Sequence, residues 1–275
     1  MTLAARLTLG VAAVATCWGG SSLQAQTGSE SKKPQLWTLE GLRAGYCIRF
    51  LINPRDASKE IERGFDLVPA DQDESLHPAL RQVLASQPEF RSWIPSSFCL
   101  YYADAVQMKD QRVVKKDPQK AQMLGVWSVA ATEQGSKARR DLIPELYASR
   151  GRLNEMAEPL LVRINEISSD VSKVPDSKDD QYTIKIGKTR LVWSGRTAAD
   201  STRVEAPTEY SWWLKGLRQA IWNVHMKLAP NWSHPLVGTL RVEGKGGLAK
   251  LLKASPTRFV GPLFSGGSAE LVFSR

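Results

Sequence analysis

The sequence predicts an α+β fold, in which mostly antiparallel sheets pack with amphipathic helices and the chain has room for two sub-domains. Three observations predict it. Short runs such as YCIRFLI (46–52) and QYTIKI (181–186) alternate apolar and polar residues between turn formers, as half-buried strands do. Two longer segments space their apolar residues by three and four, as helices do. The charge also changes character along the chain. Residues 26–135 carry 14 Lys+Arg against 14 Asp+Glu, whereas residues 181–275 carry 14 against 5, a surplus of 14 − 5 = +9.

Residues 1–25 have one early cation, Arg6, an apolar run from Leu7 to Ala15 and a small residue at Ala25, the layout of a secretory signal peptide. The apolar run is shorter than the roughly 20 residues that a membrane-spanning helix needs. The expectation is therefore an exported protein, periplasmic or secreted, with no transmembrane helix after processing. VATC, ending at Cys17, offers lipidation as the alternative, although Thr16 stands where that motif takes Gly, Ala or Ser. Residues 26–36 are polar without a period and are expected to form a disordered lead-in.

Residues 37–175 are expected to form an N-terminal α+β region. YCIRFLI is a strand ended by Asn53-Pro54, because proline cannot continue a ladder. A short FDLV strand follows, then a helix over LHPALRQVLAS whose cap is expected at Asp73 or Ser75. FCLYYADAVQM and MLGVWSVAATE supply two more strands. Cys47 and Cys99 both fall in strand-like runs, and in an oxidising compartment they are expected to form a disulfide. Residues 136–174 are expected to be helical, and from Leu153 the apolar positions run Leu153, Met156, Ala157, Leu160, Leu161, Ile164, Ile167, Val171 and Val174, which predicts a long amphipathic helix closing this region. The stretch VPDSKDDQ breaks it and marks the linker.

Residues 181–275 form the basic, aromatic-rich C-terminal α+β region. QYTIKI and TRLVW flank Gly187-Lys188 as a hairpin. The segment 208–229 is expected to be a helix whose packed stripe is Tyr210, Trp213, Leu214, Leu217, Ile221, Val224 and Leu228. Trp212, Trp222 and Met226 then fall on its back beside Lys215, an arrangement that marks an interaction surface if nothing covers it. TLRVE, a helix at GLAKLLKAS, and strands RFVGPLF and AELVF around SGGS complete the chain.

Catalytic motifs are thin. HExxH, GxSxG and cysteine-rich zinc spacings are absent, so neither a metal nor a cofactor is expected. IGKT (186–189) lacks the leading glycine of a phosphate loop. Gly244, Gly246 and Ala249 mimic a dinucleotide fingerprint, but only 26 residues follow, too few for that fold. A helix start preceded by glycines and Lys245 could hold a small anion. The acidic run Asp71–Glu74 suits a helix N-terminus better than a calcium loop. His77, His225 and His234 sit in no motif.

The function these features predict is a non-catalytic binding or assembly module at the cell envelope, with Trp212, Trp222, Met226, Lys215 and Lys245 as its contact residues. Its partner would be an anionic glycan or lipid surface or an acidic protein. Export argues against nucleic acid. The alternatives are a secreted hydrolase with an active site outside known motifs, and a subunit of a larger envelope complex.

Overall fold

The structure is a computed structural model that describes residues 35–108, 111–112, 122–149, 162, 164–169, 181–197, 201–216, 220–261 and 263–275. The signal peptide, Cys17 and positions 153–161 of the expected long helix lie outside the described residues.

Seventeen strands are described. They are β1 (Gln35–Ile52), β2 (Phe65–Leu67), β3 (Ile94–Met108), β4 (Gln111–Arg112), β5 (Gln122–Glu133), β6 (Arg139–Ser149), β7 (Ile164–Ser169), β8 (Gln181–Ile186) and β9 (Thr189–Thr197). There follow β10 (Thr202–Val204), β11 (Thr208–Lys215), β12 (Ile221–Leu228), β13 (Asn231–His234), β14 (Leu236–Gly244), β15 (Arg258–Val260), β16 (Leu263–Ser265) and β17 (Ser268–Ser274). Helices α1 (Pro54–Ala57), α2 (Pro78–Ser86) and α3 (Gly247–Ala254) are short, nine residues at most.

The pairings close into a ring. β1 pairs with β3, β3 with β5 and β5 with β6, all antiparallel. β6 runs parallel to β11 at Asp141–Ile143, and β11 then pairs with β12, β12 with β17, and β17 back with β1. A closed seven-stranded barrel results, which leaves no open edge around its circumference. Its interior is one apolar cluster that includes Trp37, Leu39, Tyr101, Leu146, Trp212, Trp222, Met226 and Phe273. Trp37 and Phe273 meet at 4.5 Å between ring centroids.

Beyond Asp141–Ile143, the same edge of β6 takes β7 in parallel at Leu146–Ser149. Antiparallel β8, β9 and β14 extend that layer. Between this layer and the outer face of the barrel lies a second core, with Ile48, Phe50, Phe98, Trp127 and Tyr147 on one side and Ile184, Leu191, Leu248 and Leu252 on the other. The described residues fall within one compact unit.

The α+β expectation is corrected by this architecture, which is a large mixed sheet with few helical residues. The segment 208–229 is a β-hairpin, β11–β12, not a helix. In IWNVHMKL the even positions Trp222, Val224, Met226 and Leu228 are buried while Asn223 and Lys227 are exposed, a period of two over eight residues. Four-residue spacing of the apolar residues fits that period as well as a helical one, and β-branched and aromatic side chains favour the pleated surface. Residues 164–169 of the expected long helix are likewise strand. β1 begins at Gln35, so the last two positions of the lead-in are ordered ladder. The hairpin at Gly187-Lys188 and the helix at 247–254 form where expected.

Cys47 and Cys99 are directly opposite in the β1–β3 ladder and form the expected disulfide. Among the described residues, no helix is long and apolar enough to cross a membrane.

Candidate functional site

The expected contact residues do not form a surface. Trp222 and Met226 are fully buried and Trp212 is 8% exposed, all three inside the barrel. Trp212 stacks on Tyr210 with the planes 1° apart, and the Arg275 guanidinium covers the Trp222 ring at 4.7 Å. Trp213, expected in the core, is buried on the opposite face of β11, edge-on to Phe65. Lys215 is paired with Glu62 at 2.6 Å. Lys245 is exposed in the turn before α3, far from forming one face with the tryptophans in the sheet's pattern of inward and outward positions. The non-catalytic binding module is therefore corrected, because the face it needs is barrel interior.

The histidines serve the fold. His77 caps α2, its Nδ1 accepting the Ala79 N–H at 3.2 Å, so the cap is neither Asp73 nor Ser75. His234 Nε2 meets Ser265 Oγ at 2.8 Å. His225 gathers Ser211 Oγ at 3.1 Å from Nδ1 and Glu209 at 3.7 Å from Nε2. The three stand on the outer face of the β11–β12 ladder with the histidine and glutamate side chains 45% and 57% exposed. With the histidine and the glutamate this exposed, the serine–histidine–acid grouping lacks, among the described residues, the enclosure that acyl transfer requires.

A cleft of about 950 Å³ opens between the outer face of the barrel and the start of α3. Its chemistry comes from three residues, Glu60, Glu145 and Tyr147. α1 sets up Glu60: Asn53 caps it by accepting the Arg55 N–H at 2.9 Å, Pro54 supplies the fixed first-turn dihedral, and the turn closes with Glu60 N–H donating to Ala57 O at 3.0 Å. Glu145 and Tyr147 alternate with the barrel-facing Leu146 and Ala148 on β6, so the strand's pleat turns both toward the second core and the cleft. Tyr147 is 3% exposed, edge-on to Phe98, and its hydroxyl donates to Glu145 Oε2.

The electrostatics single out Glu60. Burial, then the charge of Glu145, raises the Glu60 pKa above the ordinary glutamate value, against a partial offset from Lys215 and Lys59. Burial and the same neighbour push the Tyr147 hydroxyl far up, so it stays a donor. One acid is thus held toward its protonated form beside another whose oxygen already accepts a hydrogen bond, the pattern by which a cleft assigns an acid and a base.

The opposite wall is basic. Lys185, Lys188 and Lys250 line the cleft, and all three are exposed. α3 abuts it closely: Thr189 Oγ1 accepts the Ala249 N–H at 3.2 Å, and a Cβ at Gly246 would sit 2.2 Å from that same oxygen, so only glycine fits there. Of the two glycines singled out in the sequence, Gly246 opens onto the cleft, while Gly244 and Lys245 are not among its lining residues. Among the described residues no group of three or more His, Cys, Asp or Glu is placed to hold a metal ion.

No protein-family model matches the chain, and no curated protein matches it in sequence. Solved structures similar to it include the enduracididine biosynthesis enzyme MppR complexed with pyruvate, at 10% identity and a TM-score of 0.49 over 93% of this chain and 95% of that one. An acetoacetate decarboxylase-like enzyme from Sphingomonas wittichii RW1 is similar at 11% identity and 0.47, over 88% and 91%. Acetoacetate decarboxylase from Legionella pneumophila is similar at 8% identity and 0.43, over 86% and 84%.

Proposed function

We propose that this chain is an enzyme of acid–base chemistry acting on a small anionic substrate in the cleft beside α3. The observation that carries the reading is the raised pKa of Glu60 next to Glu145, whose oxygen takes the Tyr147 proton donor. Strongly perturbed titratable groups gathered in a cleft are a mark of catalytic sites. Glu145 serves as the base that removes a proton from the substrate, Tyr147 orients it, and Glu60 returns a proton at a second position. Lys185, Lys188 and Lys250 draw the substrate in, which narrows the anionic partner expected from the basic C-terminal region to a small molecule. The disulfide and the N-terminal 25 residues support export as the setting in which the enzyme works.

The test is deuterium incorporation from D₂O into a panel of small carboxylates and phosphate esters, followed by NMR. The parent protein should label at least one, and Glu60→Gln and Glu145→Gln should each slow that labelling by roughly 10²–10⁴-fold, the usual contribution of a positioned acid or base. Undiminished labelling in both variants sinks the reading. Stability gives a second readout. Because the folded Glu60 binds its proton more tightly than the unfolded one, stability falls as pH rises from the unfolded pKa through the folded one. Glu60→Gln should remove that fall and be the more stable protein at pH 7 relative to pH 4.

A further inference from the structure

A second cavity, of about 590 Å³, lies apart from the cleft, and none of its lining residues is shared with it. Its floor is barrel interior, formed by Tyr101, Trp212, Met226 and Leu228 with the Cys47–Cys99 disulfide beside them. Its charged wall is nearly all internally matched. Asp73 accepts the Ser75 N–H at 2.9 Å and the Ser75 hydroxyl at 2.7 Å, and it meets Arg139 at 3.0 Å. Asp141 meets Arg139 at 2.9 Å and accepts the Ser128 hydroxyl at 2.9 Å. Glu209 stands at 3.7 Å from His225.

Arg140 meets Asn223 Oδ1 at 3.4 Å and lies over the Trp213 ring at 5.3 Å, which leaves Arg49. It projects from β1 on the same side as Cys47, opposite the core residues Ile48 and Phe50, and it is half-buried. Among the described residues no carboxylate lies within ion-pair distance of it, and no hydrogen bond from its guanidinium is formed. Tyr101, Tyr210 and His77 line the same cavity, and each feels the Arg49 charge. Burial favours the protonated form of both phenols and the neutral form of His77, so none of these three groups supplies a negative charge to match it. A planar fork of five N–H donors, partly removed from water and unmatched, is complementary to a carboxylate, which it can hold through two parallel hydrogen bonds.

We propose that this cavity is a binding site for a small monocarboxylate with an apolar body, whose carboxylate pairs with Arg49 and whose apolar part rests on the half-buried rings of Tyr210 and Phe264. The volume suits a ligand of that size, and the arrangement of one charged anchor over an apolar, aromatic floor is that of small-molecule sites. The site is independent of the Glu60–Glu145 chemistry and stands whether or not that chemistry occurs.

Isothermal titration of the full-length processed protein with 3-phenylpropionate, 3-phenylpropanamide and inorganic phosphate tests it. The carboxylate should bind saturably, and the amide, which keeps the body and loses the charge, should bind about tenfold to a hundredfold more weakly. Arg49→Met should lose affinity for the carboxylate by the same factor, while Arg241→Met, at an exposed residue lining neither cavity, leaves it unchanged. Arg49→Gln provides the same comparison should the methionine variant fold poorly. Equal binding of acid and amide, retention of affinity in a folded Arg49 variant, tighter binding of phosphate than of carboxylate, or no saturable binding of any straight-chain or aryl carboxylate up to millimolar concentration would overturn the proposal.

Discussion

His77 shows how one side chain ties local structure to pH. Its Nδ1 must carry no proton to accept the Ala79 N–H, and its ring stacks on Phe259 with centroids 4.4 Å apart. Burial, then the Arg49 charge, depresses its pKa below the ordinary histidine value. A depressed folded pKa means that the unfolded chain binds the proton first as pH falls, so the stability this cap contributes is complete above the unfolded pKa and is lost as pH drops through the folded one. Urea unfolding at pH 7 and pH 5 should therefore show a weakening that His77→Asn, which keeps a cap without a titrating ring, removes in part. The residues that make the candidate site were hidden at this scale. Glu60 sits in the charged string KEIER, where a glutamate attracts no notice, and its altered proton affinity arises only from burial against Glu145, 85 positions away in the chain.

At the scale of elements, the β11–β12 hairpin carries the sharpest consequence. Trp222 is wholly enclosed, so Trp222→Ala should cost about 3–5 kcal/mol of stability by leaving a cavity in the barrel, measured by denaturant unfolding. A variant that stays as stable as the parent would contradict the enclosed ring. The last seven residues of β1, the β8–β9 hairpin and the bodies of α2 and α3 are legible in the sequence because each pairs a clear period with turn formers nearby, whereas the start of β1 and the His77 cap of α2 are not. The hairpin at 208–228 is not, because Tyr210, Leu214, Val224 and Leu228 fit periods of two and of four alike, and its turn lacks an Asn-Gly or Asp-Gly signature. Reading residues 136–149 as helical hides Glu145 and Tyr147 too. Seen with a period of two, ELYAS places the polar-tipped Glu145, Tyr147 and Ser149 on the side opposite Leu146 and Ala148, which is the available sign that something other than packing happens there.

At the scale of the whole molecule, the disulfide links the two longest strands, β1 and β3, across a 52-residue separation. Replacing both cysteines by serine should lower unfolding free energy by about 2–4 kcal/mol, chiefly through the gain in freedom of the unfolded chain, and the barrel pairings should persist in the circular dichroism spectrum. Neither the barrel nor the layer behind it could be inferred from local patterns. Closure depends on β6 serving β11 with one half of an edge and β7 with the other, pairings between segments whose partners no periodicity announces.

Ring closure also fixes when the fold can finish. Gln35–Glu40 pairs with Ser268–Phe273, and Asn223–Leu228 pairs with Ala269–Ser274, so both joints wait for the final seven-residue strand. A polypeptide emerging from the ribosome therefore carries two bare ladder edges until residues 268–274 are free to pair, and it invites strand addition from neighbouring copies throughout that interval. Chains clipped just before Ser268 should accumulate as aggregates instead of as a smaller folded product.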